Sequence, residues 1–106
     1  MQITQKPFRP LVLRAPQTAV TTSVQSVQVN PNAFPGSCAL RLVNIGTAVI
    51  SFSFSNGADA GLTATNGHAL LPNTGETFWF NNDMTHLNFV ASATGSTLSI
   101  SIGEGA

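Results

Sequence analysis

The stretch VISFSFSNG, residues 49–57, alternates without a break. Ile50, Phe52 and Phe54 fall on one side of an extended chain, and Ser51, Ser53 and Ser55 on the other. Period two ended by Asn56 and Gly57 is the pattern of a β-strand running into a turn. The apolar side belongs to a core. The serine side poses a question, because an exposed sheet face ordinarily carries Lys and Glu.

The same period recurs outward in both directions. In TAVTTSVQSVQV, residues 18–29, Val27 and Val29 share one face with Gln28 opposite; Val24 is out of phase, which places a bulge or break near Gln25. CALRLVN points Leu40 and Leu42 inward and Arg41 outward. LTAT and HALLP read as short strands, ETFWFN as a strand with Phe78 and Phe80 inward, and HLNFVAS and TLSISI as the last two. Between them lie NPNAFPGS, NIGT, NGADAG, NTG, NDMT and ATGS, all rich in turn formers. About eight short strands with turn signals every 8–12 residues, and no helical period, imply an all-β sandwich or small barrel. Eight antiparallel strands in two sheets favour a jelly-roll-like β-sandwich. The immunoglobulin-like alternative lacks its Cys…Trp…Cys signature.

Residues 1–17 differ from the rest. Pro7, Pro10 and Pro16 punctuate them, and a residue before proline is pushed toward extended conformations. Fully extended, this arm would reach roughly 50 Å at about 3.1 Å per residue. It carries Phe8 and the run LVLR, residues 11–14, too apolar for a solvated tail, so it is expected to lie against a sheet of this subunit or a neighbour. The expected division is an arm, 1–17, followed by a sandwich, 18–106.

The chain has 106 residues, enough for one packed core. Only 8% are charged, against about 25% in an average domain. Polar duty falls to 10 Ser, 12 Thr and 9 Asn. With a net charge of zero, free copies repel one another little, which suits a protein whose final state is an assembly. A β-rich protein with a Ser/Thr surface would have the same composition. The charge is unevenly placed: Lys6, Arg9 and Arg14 lie in the arm, whereas Asp59, Glu76, Asp83 and Glu104 lie beyond it.

Catalytic signatures are missing from the sequence. No Gly-x-Ser-x-Gly elbow, phosphate loop or dinucleotide fingerprint occurs. The lone Cys38 builds neither a disulfide nor a cysteine zinc site. His68 and His86, with Glu76 or Asp83, are the candidates for a metal or acid–base site, but turn and strand duties explain them more simply. A non-enzymatic protein without cofactors is expected. No apolar run approaches the ~20 residues of a membrane span. The first residues lack the layout of a signal peptide, and no Asn begins an Asn-x-Ser/Thr sequon, so synthesis in a bacterial cytoplasm is expected.

Binding remains. Lys6, Phe8, Arg9 and Arg14 form a candidate partner-binding arm, matched to an acidic protein surface better than to nucleic acid, for which three charges are a weak footprint. Trp79 has the opposite parity to Phe78 and Phe80, which leaves three readings: an interface anchor, a residue covered by the arm, or a sugar-stacking platform. Ser51, Ser53 and Ser55, together with Ser99 and Ser101 of the last strand, make two small hydroxyl faces. Such faces stay flat, and their hydroxyls can be paired when buried, unlike Lys or Glu. They are expected to be covered by protein.

CALRLVNIGTAVISFSFSNG, LPNTGETFWF and LSISIGEGA together resemble the small all-β virion proteins of tailed bacteriophages. The matching positions are Arg41, Asn44, Gly46, Thr47 and Phe52, then Pro72 and Gly75, then Gly103 to Gly105. The resemblance implies a capsid cement or decoration protein on the virion surface. It would be a homodimer or homotrimer that binds the major capsid protein and stabilises the shell, with no membrane partner. A carbohydrate-binding module and a tail or head–tail connector component are the alternatives.

Overall fold

The computed structural model describes residues 9–10, 17–29, 38–80 and 85–104. Among them are nine strands and no helix: β1 (Arg9–Pro10), β2 (Gln17–Val20), β3 (Gln25–Gln28), β4 (Cys38–Gly46), β5 (Ile50–Ser55), β6 (His68–Leu70), β7 (Gly75–Phe80), β8 (His86–Ala91) and β9 (Ser96–Glu104). Period-two patterning is thus realised as strands almost throughout.

The strands form two antiparallel sheets. The first runs β2-β9-β4-β7, with β1 alongside the far end of β9; the second runs β3-β8-β5-β6. The pairings are nested, β2 with β9, β3 with β8, β4 with β7 and β5 with β6. Two more pairings, β4 with β9 and β5 with β8, stitch each sheet together.

The sheets close on one core. Val20, Leu40, Leu42, Leu98 and Ile100 come from the first, and Ile50, Phe52, Leu70, Leu87, Phe89 and Ala91 from the second. Phe52 sits at the centre, its ring 5.2 Å from Phe78 of the opposite sheet and 5.8 Å from Phe54, both edge-on. That geometry suits the aromatic quadrupoles. The facing expected for β4 and β5 is observed: Leu40, Leu42, Ile50 and Phe52 are buried, and Arg41 is exposed.

One expectation is resolved and one changes. The expected bulge or break near Gln25 is a break, at which the chain changes sheet. Residues 21–24 carry the chain from β2 in one sheet to β3 in the other, leaving Val24 exposed. The crossing is held by the Thr21 amide donating to Gln25 Oε1 (3.2 Å) and by the Ala91 amide donating to Thr21 O (2.9 Å). The LTAT strand is absent; Leu62 and Thr63 are irregular and residues 64–66 form a turn. Asn66 causes this, its Oδ1 accepting the Thr63 amide (2.7 Å) and its Nδ2 donating to Gly61 O (2.9 Å). A side chain that satisfies nearby backbone groups competes with a strand ladder.

The corner between β4 and β5 shows what the Asn44 and Gly46 positions do. Asn44 is fully buried, and its Nδ2 donates to Ala48 O (2.8 Å) and Leu70 O (3.0 Å), pinning the corner to β6. Gly46 has φ 150°, and a Cβ there would come within 2.6 Å of Ser96 Cα. Only glycine allows so close a crossing of β9. Ser96 completes the corner, accepting the Ala48 amide and donating to Ala48 O, both at 2.9 Å.

At the other terminus, Arg9 and Pro10 of the expected arm pair with Glu104 and Gly103, and Gln17 already belongs to β2. Lys6, Phe8, the LVLR run with Arg14, the NPNAFPGS turn and Asp83 lie outside the described residues, as do the side chains of Arg9 and Trp79.

Candidate functional site

Each sheet has an outer face, and the two are finished differently. On the second sheet, register places Ser51, Ser53 and Ser55 beside Val90, Asn88 and His86 of β8, with Ser26 of β3 also opposite Asn88. This is the serine face expected to be exposed and to receive a partner. The structure corrects that expectation: residues 56–67 of the same chain fold back over it. Ser51 is 2% exposed and accepts the Gly67 amide (3.0 Å). Ser53 donates to Asp59 Oδ2 (2.9 Å), and Ser55 donates to Gly57 O.

Asn88 organises the layer. It is 0% exposed, its Oδ1 accepts from Ser26 Oγ (2.8 Å) and the Asp59 amide (3.1 Å), and its Nδ2 donates to Ser55 Oγ (2.7 Å). Leu62 is buried to 4%, and Gly67 approaches so closely that a Cβ would lie 2.7 Å from Phe52 O. Small hydroxyls are required here because long charged side chains would hold the loop off the sheet. The serines therefore serve an intrachain contact, and Asp59, Asn88 and Ser26 are the residues that sequence reading missed. Their contribution depends on register, which no local pattern encodes.

The first sheet is finished otherwise. Its outer face is a grid of three rows: Gln17, Ser99, Val43 and Gly75; Ala19, Thr97 and Ile45; and Ser101, Arg41 and Thr77. Every member is partly or fully exposed, and Ile45 is 47% exposed. Arg41 is the one charged side chain in the grid. Ser99 and Ser101 thus face outward, as their alternation implies, on a hydroxyl-rich surface with one charge. Arg41, Val43, Ile45, Thr77 and Thr97 join them, brought together only by the β2-β9-β4-β7 order. At one end, Ala39 and Gly103 are buried, and Trp79 holds the register position opposite Ala39.

The candidate ionisable residues that are described, His68, His86 and Glu76, do not converge. His68 is exposed and packs its ring 5.5 Å from Phe52. His86 Nδ1 accepts the Gly57 amide (3.1 Å) on the other sheet face, and Glu76 is exposed on β7. Among the described residues, no three His, Cys, Asp or Glu side chains gather as metal ligands would. No described helix is long and apolar enough to cross a membrane.

Fold and surface together define an all-β protein of two packed antiparallel sheets, one outer face closed by its own loop and the other exposed over the grid of described residues but buried at the Ala39–Gly103 end. Protein-family models, curated proteins and solved structures contain no match to the chain.

Proposed function

We propose that the chain is a non-enzymatic structural protein of a tailed-phage virion. It is made in the bacterial cytoplasm and docks as a homo-oligomer on the capsid surface, bridging major capsid protein subunits. The observation that carries this reading is the open grid of the first sheet. It is hydroxyl-rich and bears one charge, so covering it with protein costs little desolvation or side-chain entropy. Arg41 supplies a point of orientation for an acidic partner. Because the protein would bind only the assembled shell, it would stabilise that state by mass action.

The nested pairing supports a jelly roll as the finer description of the sandwich. Pairing first with last, β2–β9 through β5–β6, is a long antiparallel ribbon rolled so that successive pairs alternate between sheets. Viral capsid domains are among the proteins built this way.

The test is co-sedimentation with undecorated capsids, beside light scattering of the free protein. Ser99→Glu with Ser101→Glu is expected to abolish sedimentation while leaving the melt unchanged. Full binding by that variant refutes docking through this face. Copy number in purified virions then locates the protein: hundreds of copies fit decoration, and a dozen or fewer fit a tail or connector.

A further inference from the structure

The sequence contains two Asn-Gly pairs, Asn56 with Gly57 and Asn66 with Gly67, and the fold treats them oppositely. In such a pair the glycine nitrogen can attack the asparagine side-chain carbonyl, since no Cβ obstructs the approach. The attack requires a base for the amide proton and a donor for the developing oxyanion.

Both groups stand at Asn56. The Gly57 amide donates to His86 Nδ1 (3.1 Å), which in the tautomer protonated at Nε2 can take the proton. Thr85 Oγ1 donates to Asn56 Oδ1 (3.1 Å), the oxygen on which negative charge would develop. The same hydroxyl lies 2.8 Å from His86 Nδ1, and its one proton is shared between the two acceptors until Nδ1 takes the Gly57 proton. Nδ1–H then donates to Thr85 Oγ1, and the Thr85 proton goes wholly to Asn56 Oδ1. Ser55 Oγ donates to Gly57 O, which ties down the following peptide, Gly57–Ala58. The proton leaves within the amide plane, whereas the attacking electron pair lies perpendicular to it, so His86 does not block the approach of Asn56 Cγ. Asn56 is exposed, and the space a Cβ would fill at Gly57 is open.

Asn66 is arranged the other way. Its Oδ1 accepts the Thr63 amide (2.7 Å), its Nδ2 donates to Gly61 O (2.9 Å), and the Gly67 amide donates to Ser51 Oγ (3.0 Å), a hydroxyl that is no base. The carboxamide is clamped at both ends, and Gly67 is walled in by Leu62 and Phe52.

We propose that Asn56 is a self-modification site, at which His86 as general base and Thr85 as oxyanion donor drive imide formation in the folded protein. Gly57 N bonds to Asn56 Cγ as its proton passes to His86. The C–N bond to the side-chain amide breaks, and that nitrogen, reprotonated, leaves as ammonia. Water then opens the imide to aspartate or isoaspartate. No oxidant, metal or cofactor enters. The product carries a new carboxylate at the rim of the loop that closes the second sheet, and isoaspartate lengthens the backbone there by a methylene.

Peptide mass spectrometry of the folded full chain, aged at neutral pH, tests this beside the same chain in denaturant. Asn56 is expected to convert far faster than Asn66 when folded, and at a similar rate when denatured. His86→Gln should slow Asn56 conversion by about a hundredfold, the low end of what a positioned general base contributes. Thr85→Val should also slow it, and serves alone if His86→Gln does not fold. Equal folded rates at the two sites overturn the proposal. So does a His86→Gln or Thr85→Val variant that folds and converts Asn56 as fast as, or faster than, the native chain.

Discussion

Asn88→Ala should be among the most damaging polar truncations in this protein, although no charge or catalytic role is involved. The side chain makes three good hydrogen bonds, to Ser26 Oγ, the Asp59 amide and Ser55 Oγ, at 2.7–3.1 Å, and two longer ones to Ser53 at 3.3 and 3.4 Å. Each good bond contributes about 1 kcal/mol net, and an orphaned buried donor costs about 1–3 kcal/mol. Water reaching the loosened loop recovers part of that, leaving a loss of about 3 kcal/mol. At about 4–8 °C per kcal/mol for a domain of this size, the melting temperature should fall by roughly 12–24 °C. Urea denaturation should show a lower midpoint with an unchanged slope, because global unfolding still exposes the same surface. Hydrogen exchange supplies the local signature. The Gly57, Asp59 and Gly67 amides should lose protection well beyond those of Leu98 and Ile100 in the core of the other sheet. Thr94→Ala, at an exposed turn, is the control and should stay within about 0.5 kcal/mol. An Asn88→Ala variant as stable as that control would refute the view that Asn88 holds the loop on the sheet.

Other expectations follow from the same packing. Phe52→Ala should cost roughly 3–5 kcal/mol in urea denaturation, the usual range for a buried phenylalanine; a loss under about 1.5 kcal/mol would mean the core is not centred there. The facing of β5 taken alone implies that Ser53→Ala stays within about 0.5 kcal/mol, but its bond to Asp59 raises the expectation to about 1 kcal/mol. Gly46→Ala should fold poorly or lose at least ~3 kcal/mol, since it combines a strained φ with collision against β9; a native-like melt would contradict the corner geometry. Lys6→Glu, Arg9→Glu and Arg14→Glu together should lower the melt only slightly, through like charge at the Arg9–Glu104 register pair, and weaken capsid co-sedimentation. That contact should also weaken with salt, as the Debye length falls from about 10 Å at 0.1 M to about 3 Å at 1 M. Full binding by the triple variant at low salt would remove the arm's charges from docking.

Much of the fold was legible along the chain because a strand's facing is a local property. Period two sets which of Leu40, Arg41, Leu42 and which of Ile50, Ser51, Phe52 turn inward, wherever the strand ends up. Asn-Gly and Pro-Asn-Thr-Gly segments likewise mark turns through their own backbone preferences. LTAT escaped this reading because Asn66, just beyond it, captures the Thr63 amide through a side-chain bond that periodicity does not register.

What lies over each outer face was decided by tertiary structure alone. The serines of β5 and β9 look alike in sequence, both alternating with large apolar residues. Their difference rests on Asn88, which meets Ser53 35 residues away and Ser26 62 residues away, and so anchors residues 56–67 over β5. No equivalent anchor covers the Ser99 and Ser101 grid among the described residues. Alternation sets the side of the sheet a residue occupies, because it follows from backbone geometry within one strand. The neighbours it meets there depend on hydrogen-bond register between distant strands, which only the folded chain brings into place.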